Sequence, residues 1–178
     1  YVLRFSMAYP SNVTIATSNP AAFRVSFPRA TYFSTVYADD VSVTVSASST
    51  CATIDQGSTV QQPQIATIGG VQFTKNETGD IGAGNVYDST YYDVTKNSVC
   101  YRILVVDHHA NGAGLYESDP AKIAALTTAR ASDYARVNTI VQQIIYSFTF
   151  ISTPPGQNEA TIPAAGTPLT TNGLSVSN

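Results

Sequence analysis

The chain predicts an α+β fold: an antiparallel β-sheet of about six to eight strands packed by one long C-terminal helix near residues 119–145, with a final strand at about 146–151. Three observations carry this expectation. Short runs that alternate apolar and polar residues recur along the first hundred or so positions, the period of half-buried strands. A single stretch has helical periodicity. That stretch lies between two strand-like runs, Val99 to His109 and Tyr146 to Phe150, so its apolar side has a sheet to pack on.

The helix is set by its start and its stripe. Ser118 or Asp119 can accept a hydrogen bond from the first free backbone amides, and Pro120 sits where a missing N–H costs nothing. Ile123, Leu126, Tyr134, Val137, Val141 and Ile144 then fall on one face of a helix. Arg130 interrupts the stripe and is expected to lay its aliphatic stem along the apolar face with its head in water. Lys122 and Asp133 fall at the edge of the stripe, and Arg136 on the far side.

The strands follow in order. Leu3, Phe5, Met7 and Tyr9 alternate with Arg4, Ser6 and Ala8 until Pro10 stops the run, and Asn12 to Thr17 forms a short second strand, hairpin-linked to the first. Phe23, Val25 and Phe27 alternate up to Pro28, and residues 28–40 cross the surface as a loop ending in Asp39-Asp40. Val41, Val43, Val45 and Ala47 then face one way and Ser42, Thr44, Ser46 and Ser48 the other, a strand with one wet face. Residues 52–63 are polar and irregular. Ile65 to Thr74 is a strand with a bulge or sharp bend at Gly69-Gly70, and Asn76 to Asn85 is a loop. Val86 to Val94 and Val99 to His108 form a hairpin through Thr95-Lys96-Asn97-Ser98, and the second of them, apolar on both faces, is central. Residues 1–151 make one α+β domain. Residues 152–178, rich in Pro, Thr, Ser, Gly and Asn, form a tail expected to lie against its own domain or a neighbouring copy.

Composition bounds the function. Charged residues make up only 12% of the chain and the net charge is -3, so no basic field draws a phosphate backbone and nucleic-acid binding is disfavoured. No apolar run approaches the ~20 residues of a transmembrane helix. Low charge, many hydroxyls, and Tyr1 taken as a processed start with any signal peptide or anchor removed, point to an extracytoplasmic location, extracellular or at the cell surface. In an oxidising compartment Cys51 and Cys100 would form a disulfide; in a reducing one they would be two buried thiols. Asn12-Val13-Thr14 and Asn76-Glu77-Thr78 match the N-glycosylation acceptor pattern.

Several stretches also carry a resemblance. The opening strand Phe5 to Pro10, Cys100-Tyr101 on a central strand, and a long helix running into Ser147-Phe148-Thr149-Phe150 resemble the PsbP/Mog1-like α+β sandwich group of extracytoplasmic domains. Gly69-Gly70-Val71-Gln72-Phe73, Gly84-Asn85 and Tyr91-Tyr92 fit the same order of elements, over residues 1–150. The resemblance implies an accessory role and assigns no catalytic residue.

Candidate chemistry is sparse. Asp107, His108 and His109, with Asn111, could bind Zn or Cu or furnish a general base at a strand end. Neighbouring strand residues point to opposite faces, however, so both histidines ligate together only if the strand has already ended, and solvent-facing turn histidines are the default. Asn111-Gly112-Ala113-Gly114 lacks the third glycine of a phosphate-cradling loop, and Asp80 to Asn85 has too few oxygens for calcium. There is no G-x-S-x-G elbow, and Asp39-Asp40 reads as a solvated turn. Tyr87, Tyr91 and Tyr92, with Tyr101 and Tyr116, are either a contact surface or cross-strand packing. No cofactor is expected. The expectation for function is a non-enzymatic secreted or cell-surface interaction module. It would be a subunit of an extracellular assembly that takes a protein partner, either another protein or other copies of itself reached through the C-terminal tail. The alternatives are a monomeric accessory protein holding a ligand or partner, and a metal-dependent hydrolase using His108 and His109.

Overall fold

The structure, a computed structural model, describes residues 5–19, 22–34, 40–52, 54, 62–82, 84–110, 118–151 and 165–169. Its elements are β1 (Phe5–Pro10), β2 (Thr14–Asn19), β3 (Ala22–Ser26), α1 (Arg29–Tyr32), β4 (Asp40–Ser48), β5 (Gln64–Ile68), β6 (Val71–Gly82), β7 (Asn85–Lys96), β8 (Val99–Ala110), α2 (Pro120–Tyr146), β9 (Thr149–Phe150) and β10 (Ala165–Leu169). Seven strands form an antiparallel sheet in the order β2-β3-β4-β8-β7-β6-β5, and β10-β1-β9 form a smaller sheet. The fold is the expected α+β class, with β8 in the middle of the large sheet and one long helix.

The hydrophobic core lies between one face of the large sheet, the C-terminal half of α2 and β1. Val43, Val45, Ile103 and Phe73 from the sheet, Val137, Val141, Ile144 and Ile145 from α2, and Phe5 and Met7 from β1 are all buried. The alternation of β4 works as expected on its apolar side. On the other side Ser42 is buried too, between Ser26 and Val106 on the flanking strands. In α2, Asp119 caps the first turn by accepting from the Lys122 amide at 3.1 Å. Full burial begins only at Asp133, with Ile123 and Leu126 half-buried and Tyr134 partly exposed.

Two charged residues on α2 behave differently from expectation. Asp133 is buried, not marginal: its carboxylate accepts from the Ser34 amide at 2.7 Å and from the Ser34 hydroxyl at 3.0 Å. Arg136 closes the same knot, donating to Asp133 at 2.9 Å and to the Tyr32 carbonyl. The segment expected to cross the surface as a loop is therefore pinned where it follows β3. It contains the one-turn α1, and Tyr32 and Phe33 are buried. Residues 35–39, with Asp39, lie outside the described residues, as do 53, 55–61 and 111–117.

Three turns or strands also depart from expectation. β1 and β2 do not form a hairpin, because β1 leaves the large sheet to bury Phe5 and Met7 against Phe23, Phe148 and α2. The Ser147 hydroxyl accepts from the Ala8 amide at 2.8 Å, fastening the end of α2 to β1. Gly69 and Gly70 make a full two-residue turn between β5 and β6, with φ of 56° and 76°. Two positive φ values are what a type I′ hairpin needs, and glycine adopts them without strain. Gly69 also lies so close to the Phe148 carbonyl that a Cβ there would collide with it. Finally, Asn76 to Gly82 is strand rather than loop. These polar residues pair one for one with Asn85 to Tyr91, so the cross-strand ladder overrides their weak local preference.

The β7–β8 hairpin turns on Asn97 and Ser98, with φ of 51° and 61°. Asn tolerates the left-handed region, whereas Ser carries a Cβ penalty there. Ser98→Gly is expected to raise stability by about 1 kcal/mol, read as a higher midpoint in urea unfolding with an unchanged slope.

Candidate functional site

A polar cluster sits where the far ends of β7 and β8 meet α2. The two-residue turn fixes the register of this hairpin, placing Asp88 opposite Asp107 and Val86 opposite His109. Asp107 and His109 are two apart on β8, and so share the face that α2 covers. Both are buried, while the Asp88 side chain is 55% exposed. His109 Nε2 lies 3.3 Å from Asp88 Oδ2, and His109 Nδ1 donates to the Ala110 carbonyl at 3.4 Å. From the helix, Arg130 Nη2 reaches Asp107 Oδ2 at 3.4 Å. The arginine that interrupts the apolar stripe of α2 thus answers a buried carboxylate instead of reaching for water. Tyr134 borders the cluster. Burial raises its phenol pKa, the Asp107 and Asp88 carboxylates push it further up, and Arg130 opposes them.

Asp88, Asp107 and His109 each offer one ligand atom, and these atoms lie within 4.8 Å of one another. His108 takes no part. β8 continues to Ala110, so His108 projects from the opposite face, where its ring stacks on Tyr87 at 4.2 Å and its Nε2 meets Asn85 Oδ1 at 3.1 Å. A single metal bound by both histidines is incompatible with this alternation. Asn111 lies outside the described residues.

The tyrosines divide between faces in the same way. Tyr87 and Tyr91 stand on the outer face, and Tyr92 is in the core, so the three do not form one contact surface. Burial raises the Tyr92 pKa. On the outer face Arg102 lies over the Tyr91 ring, 5.0 Å from its centroid, and is held by Asp93 through two 2.7 Å contacts. That pairing raises the Arg102 pKa. Tyr101 is buried, and Tyr116 lies outside the described residues.

Cys51 and Cys100 form a disulfide with a Cα–Cα distance of 5.2 Å, joining the segment after β4 to the neighbouring strand β8. Asn12 is exposed in the turn after β1, where it accepts from the Tyr32 hydroxyl. Asn76 is half-buried on the outer face of β6, opposite Tyr91.

The remaining feature is main-chain. β10, from within the tail, pairs in parallel with β1 in the register Ser6↔Ala165 to Pro10↔Leu169. The other side of β1 carries the two-residue β9 and the Ser147 hydroxyl. By composition this segment is a linker or flexible tail, and β1 is not legible as its partner because the sequence of β1 reads as half of a hairpin with β2. Asp88 is not legible in the sequence: a connection over Thr95 to Ser98 would set Asp88 opposite Val105, and only the two-residue turn at Asn97-Ser98, pairing Lys96 with Val99, sets it opposite Asp107.

No known protein family profile matches the chain, and no curated protein matches it. Among solved structures, a Bacteroides thetaiotaomicron protein is similar at 12% identity and a TM-score of 0.47, over 87% of this chain. The chain spans 47% of the length of that protein. Among the described residues, no helix is long and apolar enough to cross a membrane.

Proposed function

We propose that this chain is a non-enzymatic, extracytoplasmic interaction module, a structural subunit of an extracellular assembly whose C-terminal segment links copies by adding a strand to β1. The observation that carries the reading is the parallel pairing of β10 with β1 over five residues. Strand addition of this kind takes its affinity from main-chain hydrogen bonds, so it suits a segment poor in large apolar residues. An edge strand left bare is a template for another chain, and β10 occupies that edge of β1. The segment between Ile151 and Ala165 reaches roughly 46 Å when extended, at about 3.3 Å per residue. The same strand can therefore be given to a neighbour's β1 with every pairing kept, the low-cost route to association by exchange. The disulfide fits an oxidising compartment. The PsbP/Mog1-like resemblance belongs to the same proposal, supported by Cys100-Tyr101 on the central strand.

Light scattering on the native chain and on a chain ending at Ile151 tests the reading. The expected result is an oligomer for the first and a monomer for the second. Monomers in both cases would turn the reading toward a solitary accessory protein.

A further inference from the structure

We propose that Asp88, Asp107 and His109 form a Zn2+ site, with water completing the coordination on the exposed Asp88 side. The argument begins with the ladder. Asp88 and Asp107 occupy directly opposed positions of β7 and β8, and like charges so placed repel. Asp107 is buried, which sharpens the need for positive charge beside it. Arg130 supplies one charge from α2. The cluster thus gathers one imidazole and two carboxylates beside that guanidinium.

The imidazole is set up to be a ligand. With Nδ1 beside the Ala110 carbonyl at 3.4 Å, Nε2 is the ring nitrogen that faces the carboxylates, 3.3 Å from Asp88 Oδ2. A backbone carbonyl on the far ring nitrogen is the usual outer partner of a metal-bound histidine. For Zn–N and Zn–O bonds of about 2.0–2.2 Å, the edge between two ligands of a tetrahedron is roughly 3.4 Å, so the spacing from Nε2 to Oδ2 already suits the ion. The donor set selects among cations. An imidazole and two carboxylates, one of them shared with an arginine, offer too few oxygens and too little net charge for Ca2+. They suit Zn2+, which accepts mixed nitrogen and oxygen ligands. A bound ion would tie β7 to β8 beside α2, at the end of the hairpin away from the Asn97-Ser98 turn.

Calorimetric titration of the chelator-treated full chain with Zn2+, and the visible spectrum after Co2+ addition, test the site. One ion per chain and a four-coordinate Co2+ spectrum are expected. Asp88→Asn, at a side chain that is 55% exposed, and His109→Ala should each weaken binding more than tenfold. His108→Ala, on the opposite face, should bind as the unaltered chain does. Absence of binding by the unaltered chain, or undiminished binding by Asp88→Asn, would overturn the proposal. So would loss of binding in His108→Ala.

Discussion

Replacing Cys51 and Cys100 together by serine is expected to lower the free energy of unfolding by about 4 kcal/mol. The cysteines are 49 residues apart, and closing a loop of that length removes roughly this much chain entropy from the unfolded state. The folded side adds a reason. Arg102 donates to the Ala52 carbonyl at 2.7 Å while held by Asp93, so the bridge keeps the segment beyond β4 within reach of an ion pair on the central strands. Urea unfolding of the oxidised protein and the double variant checks the result. The variant should also show a steeper denaturant slope, since its unfolded chain is less compact. A change below about 1 kcal/mol would contradict this account of the bridge.

Phe148→Ala should cost a comparable amount, about 4 kcal/mol. Phe148 is completely buried just beyond α2, and its ring centroid lies 5.1 Å from Phe5, 5.9 Å from Phe73 and 5.0 Å from Phe150. Those rings belong to β1, β6 and β9, so one side chain joins both sheets at the helix end. Truncation removes the transfer free energy of the ring and leaves a cavity that strands on three sides cannot collapse to fill. In thermal unfolding the midpoint should fall by about 8–16 °C for a protein of this size. Phe150→Ala, at a half-buried position, should cost less.

These effects lie in parts of the fold that the sequence makes legible to different degrees. The capped start of α2 and the β7–β8 hairpin are set by local chemistry: Asp119-Pro120 in one case, and a short polar turn between two runs rich in Val, Tyr and Thr or Val, Ile and Leu in the other. Polar strands were harder to see. Asn76 to Gly82 has the composition of a loop and becomes strand only because β7 lies alongside it. The destination of β1 was also hidden, because alternation reveals a buried face but does not identify the sheet to which a strand belongs. In the sequence Arg130 interrupts an amphipathic stripe and Asp133 lies at its edge. Each has a partner far along the chain, Ser34 and Asp107, and only the tertiary fold brings them together. The histidine pair shows the reverse case. Strand alternation alone divides His108 from His109, once β8 is known to continue to Ala110.

The central claim, that the tail strand passes between copies, is tested most directly by mixing two single variants, Ala8→Cys and Thr167→Cys. These positions are register partners in the β1–β10 pair. Under mild oxidation the mixture should yield a disulfide-linked dimer containing one chain of each kind, since a tail paired to a neighbour's β1 brings the two new thiols together. If the mixture gives no mixed dimer while the double variant Ala8→Cys/Thr167→Cys closes within single chains, β10 stays on its own domain and assembly through the tail is wrong.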